Sequence, residues 1–182
     1  MTGVIIAVVI IALIALFFIM TYNSLVKYRN WIQEALKEID IQLNRRYELI
    51  PNLVETVKAY MDHEHETLVK VIEARSKINV GTPDERVKAD NMLESTLRSL
   101  YNVTESYPDL LADKQFQDLR DELISTENKV TSVRTRYNRT VAEYNIKRES
   151  FPTVLFASML GFHKEEMLEF PEETREPVRI KF

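Results

Sequence analysis

The sequence predicts an all-α fold: an N-terminal transmembrane helix that continues into an elongated antiparallel helical bundle, followed by a short C-terminal helix and an extended tail. Three observations carry this. Residues 4–20, VIIAVVIIALIALFFIM, form an apolar run without charge, Pro or Gly. Beyond it the apolar residues recur every three or four positions, the period of an α-helix with one buried face. Finally, only 3 glycines occur against 29% charged residues, a composition of long helices rather than turn-rich sheet.

The apolar run comes first. Counted with Gly3, Thr21 and Tyr22 it has 20 residues, about 30 Å as helix, which matches a bilayer's hydrocarbon core. Thirteen of the seventeen residues from Val4 to Met20 are Leu, Ile, Val or Phe, each favouring insertion by roughly 0.3–0.6 kcal/mol. A cleaved signal peptide wants a positive n-region and a small-residue cleavage site. Here the chain starts Met-Thr-Gly and the run closes in Phe17, Phe18, Ile19 and Met20. Lys27, Arg29 and Lys37 follow the run and no cationic side chain precedes it. That bias predicts a single-pass cell-membrane protein with a short N-terminus outside and the rest cytoplasmic. Residues 1–22 read as the anchor, contacting lipid from Val4 to Met20, residues 23–150 as the bundle, and residues 151–182 as apolar helix plus tail.

The bundle begins almost at once. Leu25, Ile32 and Ile39 repeat at seven, Leu36 and Leu43 run beside them, and the series continues through Ile50, Leu53, Val57, Tyr60, Leu68, Val71 and Ile78. Pro51 interrupts it, removing a backbone donor and crowding the carbonyl of Tyr47. The seam keeps phase across the proline and no glycine surrounds it. The sequence therefore favours one kinked helix from the membrane to Asn79 over two helices meeting at Pro51.

Asn79-Val80-Gly81 is the first clear break. Thr82, Pro83, Asp84 and Glu85 then read as N-cap, N1 proline and dipole-complementing acids. That helix runs to about Ser106 with Leu93, Leu97, Leu100 and Thr104 inward, and Tyr107-Pro108-Asp109 opens a short connection. A third helix spans about Asp113 to Glu149, its seam formed by Leu119, Leu123, Thr126, Val130, Val133, Tyr137, Thr140 and Tyr144. After Phe151-Pro152 a short apolar helix is expected over 153–161, either capping the bundle or touching lipid or a partner. The tail carries Pro171 and Pro177; in it Val178, Ile180 and Phe182 alternate with cations, the pattern of a lone strand or groove-binding peptide.

Composition narrows function. A net charge of −4 gives no electrostatic footing for nucleic acid, and the lack of cysteine excludes disulfides, thiol catalysis and thiolate metal sites. Met61-Asp62-His63-Glu64-His65-Glu66 resembles a metal cluster, yet on a helix His63 and His65 point about 200° apart and H-E-x-x-H is absent. No nucleotide loop or nucleophile elbow is present either. The sequence thus offers no catalytic, cofactor-binding or metal-ligating residue, and no cofactor is expected.

Two polar files at helical spacing are the sharper signal. One holds Glu127, Thr131, Arg134, Asn138 and Asn145; the other Asn30, Asp40, Arg46 and Asn52, with Arg46 and Glu64 on positions that should be apolar. Buried polar residues in a bundle fix register and partner choice. The expected pairs are Asp40 or Glu64 with Arg134, and Arg46 with Glu127.

Several stretches together resemble the LemA family of bacterial membrane-anchored proteins. They are Tyr22-Asn23-Ser24-Leu25-Val26, Arg29-Asn30, Ile39-Asp40-Ile41-Gln42-Leu43-Asn44-Arg45-Arg46 and, strongest, Leu49-Ile50-Pro51-Asn52-Leu53-Val54-Glu55-Thr56-Val57-Lys58. Tyr60, His63-Glu64, Glu127-Asn128, Arg134, Tyr137-Asn138, Tyr144-Asn145, Phe151-Pro152 and Gly161-Phe162 continue it; Ala59 stands where the family has glycine. The resemblance implies a single N-terminal span with an elongated cytoplasmic helical bundle, and brings no established catalytic residue. It also implies relatives linked to magnetosome membranes and neighbours that include membrane proteases.

The function expected is a non-enzymatic scaffold or adaptor at the cytoplasmic face, self-associating as a homo-oligomer and docking membrane-protein partners such as proteases. Val178, Ile180 and Phe182 are the expected tail contact. The alternative is a membrane-remodelling or bilayer-organising protein acting through clustered transmembrane helices.

Overall fold

The computed structural model describes residues 1–61 and 65–169. Among them the regular elements are all helical: α1 Thr2–Lys58, α2 His65–Ile78, α3 Pro83–Thr104, α4 Pro108–Ala112, α5 Lys114–Glu149 and a 3₁₀ turn Thr153–Leu155. The fold is all-α with an N-terminal transmembrane helix, as the periodicity requires.

The first twenty residues of the chain are exposed throughout, and the most apolar window of α1 is 0% buried. A core helix of a soluble protein would cover that surface; this one turns it outward. From Leu25 onward burial becomes periodic, with Leu25, Ile32, Ile39, Leu43, Ile50, Leu53 and Val57 at 0–2% exposure. Each such side chain contributes roughly 1.5–3 kcal/mol of burial.

Helix α1 continues without a break past Pro51, and the carbonyl left without its helical donor is met from elsewhere. Pro51 cannot donate to the carbonyl of Tyr47, and Arg75 Nε of α2 donates to that oxygen at 2.9 Å. The Arg75 guanidinium also lies 3.8 Å from the centre of the Tyr47 ring. The expected single helix to Asn79 is nevertheless wrong at its far end: α1 stops at Lys58. There Ala59 and Tyr60 donate to the carbonyls of Thr56 and Val57 at 3.3 and 3.0 Å, the tightened bonding of a terminal turn. Met61 is buried and the Tyr60 hydroxyl donates to Asp113 Oδ2 at 2.9 Å, so tertiary anchors hold the chain where the helix ends.

Two compact units divide the chain, one of Met1–Ala35 with Arg136–Met167, the other of Leu36–Thr135 with the chain from Leu168. In the second unit the contacts fix an up-down-up-down bundle. Arg45 meets Glu122 and Tyr60 meets Asp113, so α1 and α5 are antiparallel. Asp40 meets Arg86 and Arg46 meets Asp90, so α1 and α3 are parallel. The α2–α3 turn needs Gly81, whose φ is +97°, and Thr82 then makes a full capping box with Glu85. The expected connection after Tyr107 is itself helical, as α4, and Asp113 Oδ1 accepts from Phe116 N at 2.8 Å to cap α5.

In the first unit, α5 keeps its seam to Tyr137, then places Val141 (0% exposed) inward where Thr140 was expected; Tyr144 resumes the phase. The expected helix over 153–161 is a succession of turns instead. Phe162 N donates to Ala157 O at 3.0 Å and Gly161 N to Ser158 O at 3.2 Å, a Schellman ending with Gly161 at φ +76°. Just before it, Leu160 N is shared between the carbonyls of Phe156 and Ala157 at 3.1 and 3.2 Å, so turns rather than a regular helix close the segment.

Candidate functional site

Helices α1, α3 and α5 bring three charged side chains into the interior of the second unit. Arg46 Nη1 donates to Asp90 Oδ2 at 3.0 Å and lies 2.8 Å from Oδ1. From α5, Arg134 Nη2 stands 4.0 Å from the same carboxylate while its Nη1 donates to Asn91 Oδ1 at 3.1 Å. All three side chains are only 1–2% exposed. One carboxylate cannot saturate two five-donor guanidiniums; among the described residues, Nε and Nη2 of Arg46 find no acceptor. Burial pushes the Asp90 carboxyl upward, against the pull of Arg46 and Arg134, and the same burial pushes Arg134 down.

A second tier surrounds this centre. Arg98 pairs with Glu94 one helical turn away and lies 3.9 Å from Glu127. Burial, then repulsion from Glu94, raises the Glu127 carboxyl above its ordinary value; the Arg46 and Arg98 charges oppose that rise. Desolvation raises the buried Tyr101 hydroxyl to about 12, and the Arg120 guanidinium sits 5.1 Å from its ring. At the rim Arg86 ties three places together, donating to Asp40 Oδ1 at 2.5 Å, to Asn44 Oδ1 at 3.2 Å and to the carbonyl of Ile78 at 2.8 Å.

The first unit has its own polar clamp on the chain that returns after α5. Asn145 Nδ2 donates to the carbonyl of Glu165 at 2.8 Å and its Oδ1 accepts from Glu165 N at 3.1 Å. The hydroxyls of Tyr137 and Tyr144 donate to the carbonyls of Glu166 and His163 at 3.0 and 2.9 Å. Arg148 Nε donates to the carbonyl of Phe162 at 2.9 Å. An extended segment has unmet backbone acceptors, and one face of α5 supplies the donors.

The sequence-derived polar residues are thus sorted. Arg46 and Arg134 come together, but on Asp90, not on the acids expected. Asp40 goes to Arg86, and Glu127 faces Arg98, keeping only a long-range attraction to Arg46. Asn52 is exposed, its carbonyl accepting from Thr56 Oγ1 at 2.9 Å, and Asn138 is half-buried in the first unit. Glu64 and the tail residues Val178, Ile180 and Phe182 lie outside the described residues. Asp90 was missed, though the signal is present: Val87, Asp90, Leu93, Leu97 and Leu100 share one helical phase, and an acid on such a line needs a buried cation. Among the described residues no group of three or more His, Cys, Asp or Glu is placed to hold a metal ion.

The arrangement can fix helix register, because sliding any of the three helices by a turn separates a buried charge from its partner. Comparison with known proteins agrees with the motifs seen in the sequence. The chain is 26% identical over 155 residues to Protein LemA of Metamycoplasma hominis, covering 84% of this chain and 71% of that protein. It is 21% identical over 175 residues to Magnetosome protein MamQ of Magnetospirillum gryphiswaldense, covering 81% of this chain and 64% of that one. It therefore spans about two thirds of the length of these relatives. The LemA family profile matches residues 35–182, which hold the whole ionic layer and the clamp on the returning chain. The chain belongs to the LemA family.

Proposed function

We propose that this protein is a non-enzymatic scaffold or adaptor anchored by α1, with its helical units on the cytoplasmic side, that self-associates and docks membrane-protein partners. The observation that carries the reading is the Arg46–Asp90–Arg134 layer. Its charges are sealed between helices, where they set register and stiffness, rather than aimed into a cleft where they would meet a substrate. A helical unit stiffened in this way and carried on a membrane-anchored chain suits holding other proteins in place. The cations Lys27, Arg29 and Lys37 after the apolar run support the cytoplasmic orientation.

Crosslinking of the full chain in native membranes, followed by identification of the products, tests the reading. Products containing a second copy or another membrane protein are expected; a chain recovered only as monomer overturns it. Repeating the measurement without residues 170–182 tests the tail contact, since an unchanged product size removes Val178, Ile180 and Phe182 from assembly. A second reading, organisation or remodelling of the bilayer, draws on the relative named as a magnetosome protein. Reconstituted vesicles that change shape as the protein density rises favour it over an adaptor.

A further inference from the structure

Among the described residues, the first unit carries apolar surface that none of them covers. After α5 the chain folds back against α1, with the Phe156 ring 4.4 Å from that of Phe18 and the Phe162 ring 5.5 Å from that of Tyr22. It is held there firmly: Arg148 bonds to Phe162 O and to Ser158 Oγ at 2.9 and 3.3 Å, and the Arg29 guanidinium lies 5.3 Å from the Phe162 ring. Yet the outer side of this loop is greasy, with Phe151 81%, Leu155 67% and Met159 87% exposed. Between loop and helix runs an open groove of about 490 Å³, its walls Leu13, Ile14 and Phe17 on one side and Pro152, Leu155 and Phe156 on the other.

The helix wall of this groove decides what fills it. Leu13, Ile14 and Phe17 belong to the transmembrane run, and Leu13 lies seven residues, about 10 Å of helical rise, inside its end at Met20. A loop packed beside those residues sits at the same depth, within the roughly 5–10 Å by which interfacial elements bury their apolar faces. Further along the unit the chemistry changes to that of a headgroup layer. Tyr28 and Trp31 stack edge-on at 5.4 Å, Lys27 Nζ lies 4.6 Å from the Trp31 ring and Lys147 Nζ lies 5.9 Å from the Tyr28 ring.

We propose that the 151–160 loop is a second membrane-inserted element, burying Phe151, Leu155 and Met159 in the leaflet through which α1 leaves the bilayer, and that the groove against Leu13 and Phe17 seats a lipid acyl chain. The proposal rests on α1 being a membrane span. Its consequence is mechanical: a helix alone is free to rotate and tilt, whereas a helix with a side loop in the same leaflet is fixed in both.

The chain has no cysteine, so single-cysteine variants of the full protein can carry a spin label. Met159→Cys and Leu155→Cys change exposed side chains and leave the packing intact, which unchanged helicity verifies. In vesicles of phosphatidylcholine and phosphatidylglycerol, relaxation by oxygen reports lipid and relaxation by a water-soluble nickel chelate reports water. Labels at 155 and 159 are expected to favour oxygen as a label at Ile10→Cys does, opposite to one at the exposed Lys129→Cys. Relaxation at 155 and 159 like that at 129, with 10 still in lipid, overturns the proposal and spares the span. Protection from both reagents overturns it too, since a protein then covers the loop, and a label at 10 that reads as water removes the span itself.

Discussion

Arg46 and Asp90, 44 residues apart on parallel helices, meet at 2.8 Å with side chains 1% and 2% exposed. The desolvation of each ion is large, and removing one partner leaves the other buried and unpaired. Arg46→Met is therefore expected to destabilise the fold by about 3–5 kcal/mol, read from thermal unfolding of the full chain in detergent. Arg134→Glu also lowers stability, since it places a second carboxylate against Asp90. The triple change Arg46→Met, Asp90→Leu, Arg134→Met regains most of the loss, because an apolar layer has no ion to desolvate. A triple variant as unstable as Arg46→Met refutes this account of the layer.

Glu127 gives the layer a pH signature. Its carboxyl titrates above the usual 4.5, mainly through burial and the nearby Glu94 charge. A raised folded-state value means that its favourable contribution is complete below about 4.5 and is lost as pH rises through the folded value. Glu127→Gln removes that loss. At neutral pH the variant should match or exceed the wild-type melting temperature, and its relative advantage should vanish near pH 4. A variant whose advantage grows on acidification contradicts the assignment.

The turn between α2 and α3 depends on backbone chemistry at two adjacent residues. Thr82→Ala deletes the acceptor for Glu85 N and is expected to cost about 1 kcal/mol. Gly81→Ala forces a side chain onto a φ of +97° and pushes its Cβ into the Glu85 carboxylate, at about 1–3 kcal/mol. Urea unfolding of each variant checks the order, in which Gly81→Ala is the worse.

Asn145 holds the returning chain through both of its amide atoms. Asn145→Asp keeps the size but replaces the donor by an oxygen facing the Glu165 carbonyl. Limited proteolysis is expected to cut between 158 and 169 several-fold faster in this variant while α5 stays intact. Equal cleavage rates show that Tyr137, Tyr144 and Arg148 hold the segment without it.

Much of the architecture could be read from the residues in order. The apolar run, the seams through Leu25–Ile32–Ile39 and Leu119–Leu123–Val130, the Thr82 cap and the Gly81 break are local signals, set by side chains within a turn or two of each other. They determine that the protein is all-α, membrane-anchored and built of long helices. Because the pairs Arg46–Asp90 and Asp40–Arg86 join residues 44 and 46 positions apart, these local signals say nothing of which charge meets which. Arg46 could be seen to need a buried partner, but Glu127 was as open to it as Asp90, and only the parallel placement of α1 and α3 chose Asp90. The same holds at Pro51: sequence shows a carbonyl robbed of its donor, while the packing of α2 supplies Arg75 and keeps the helix whole. It holds again after Ser150, where a short apolar stretch suggested a helix and the chain instead forms turns bonded to Arg148 of α5. Sequence fixes what each stretch must bury or bond; tertiary structure decides with whom, since hydrogen bonds and ion pairs act over a few ångströms and only the folded chain brings residues 46, 90 and 134 within that range.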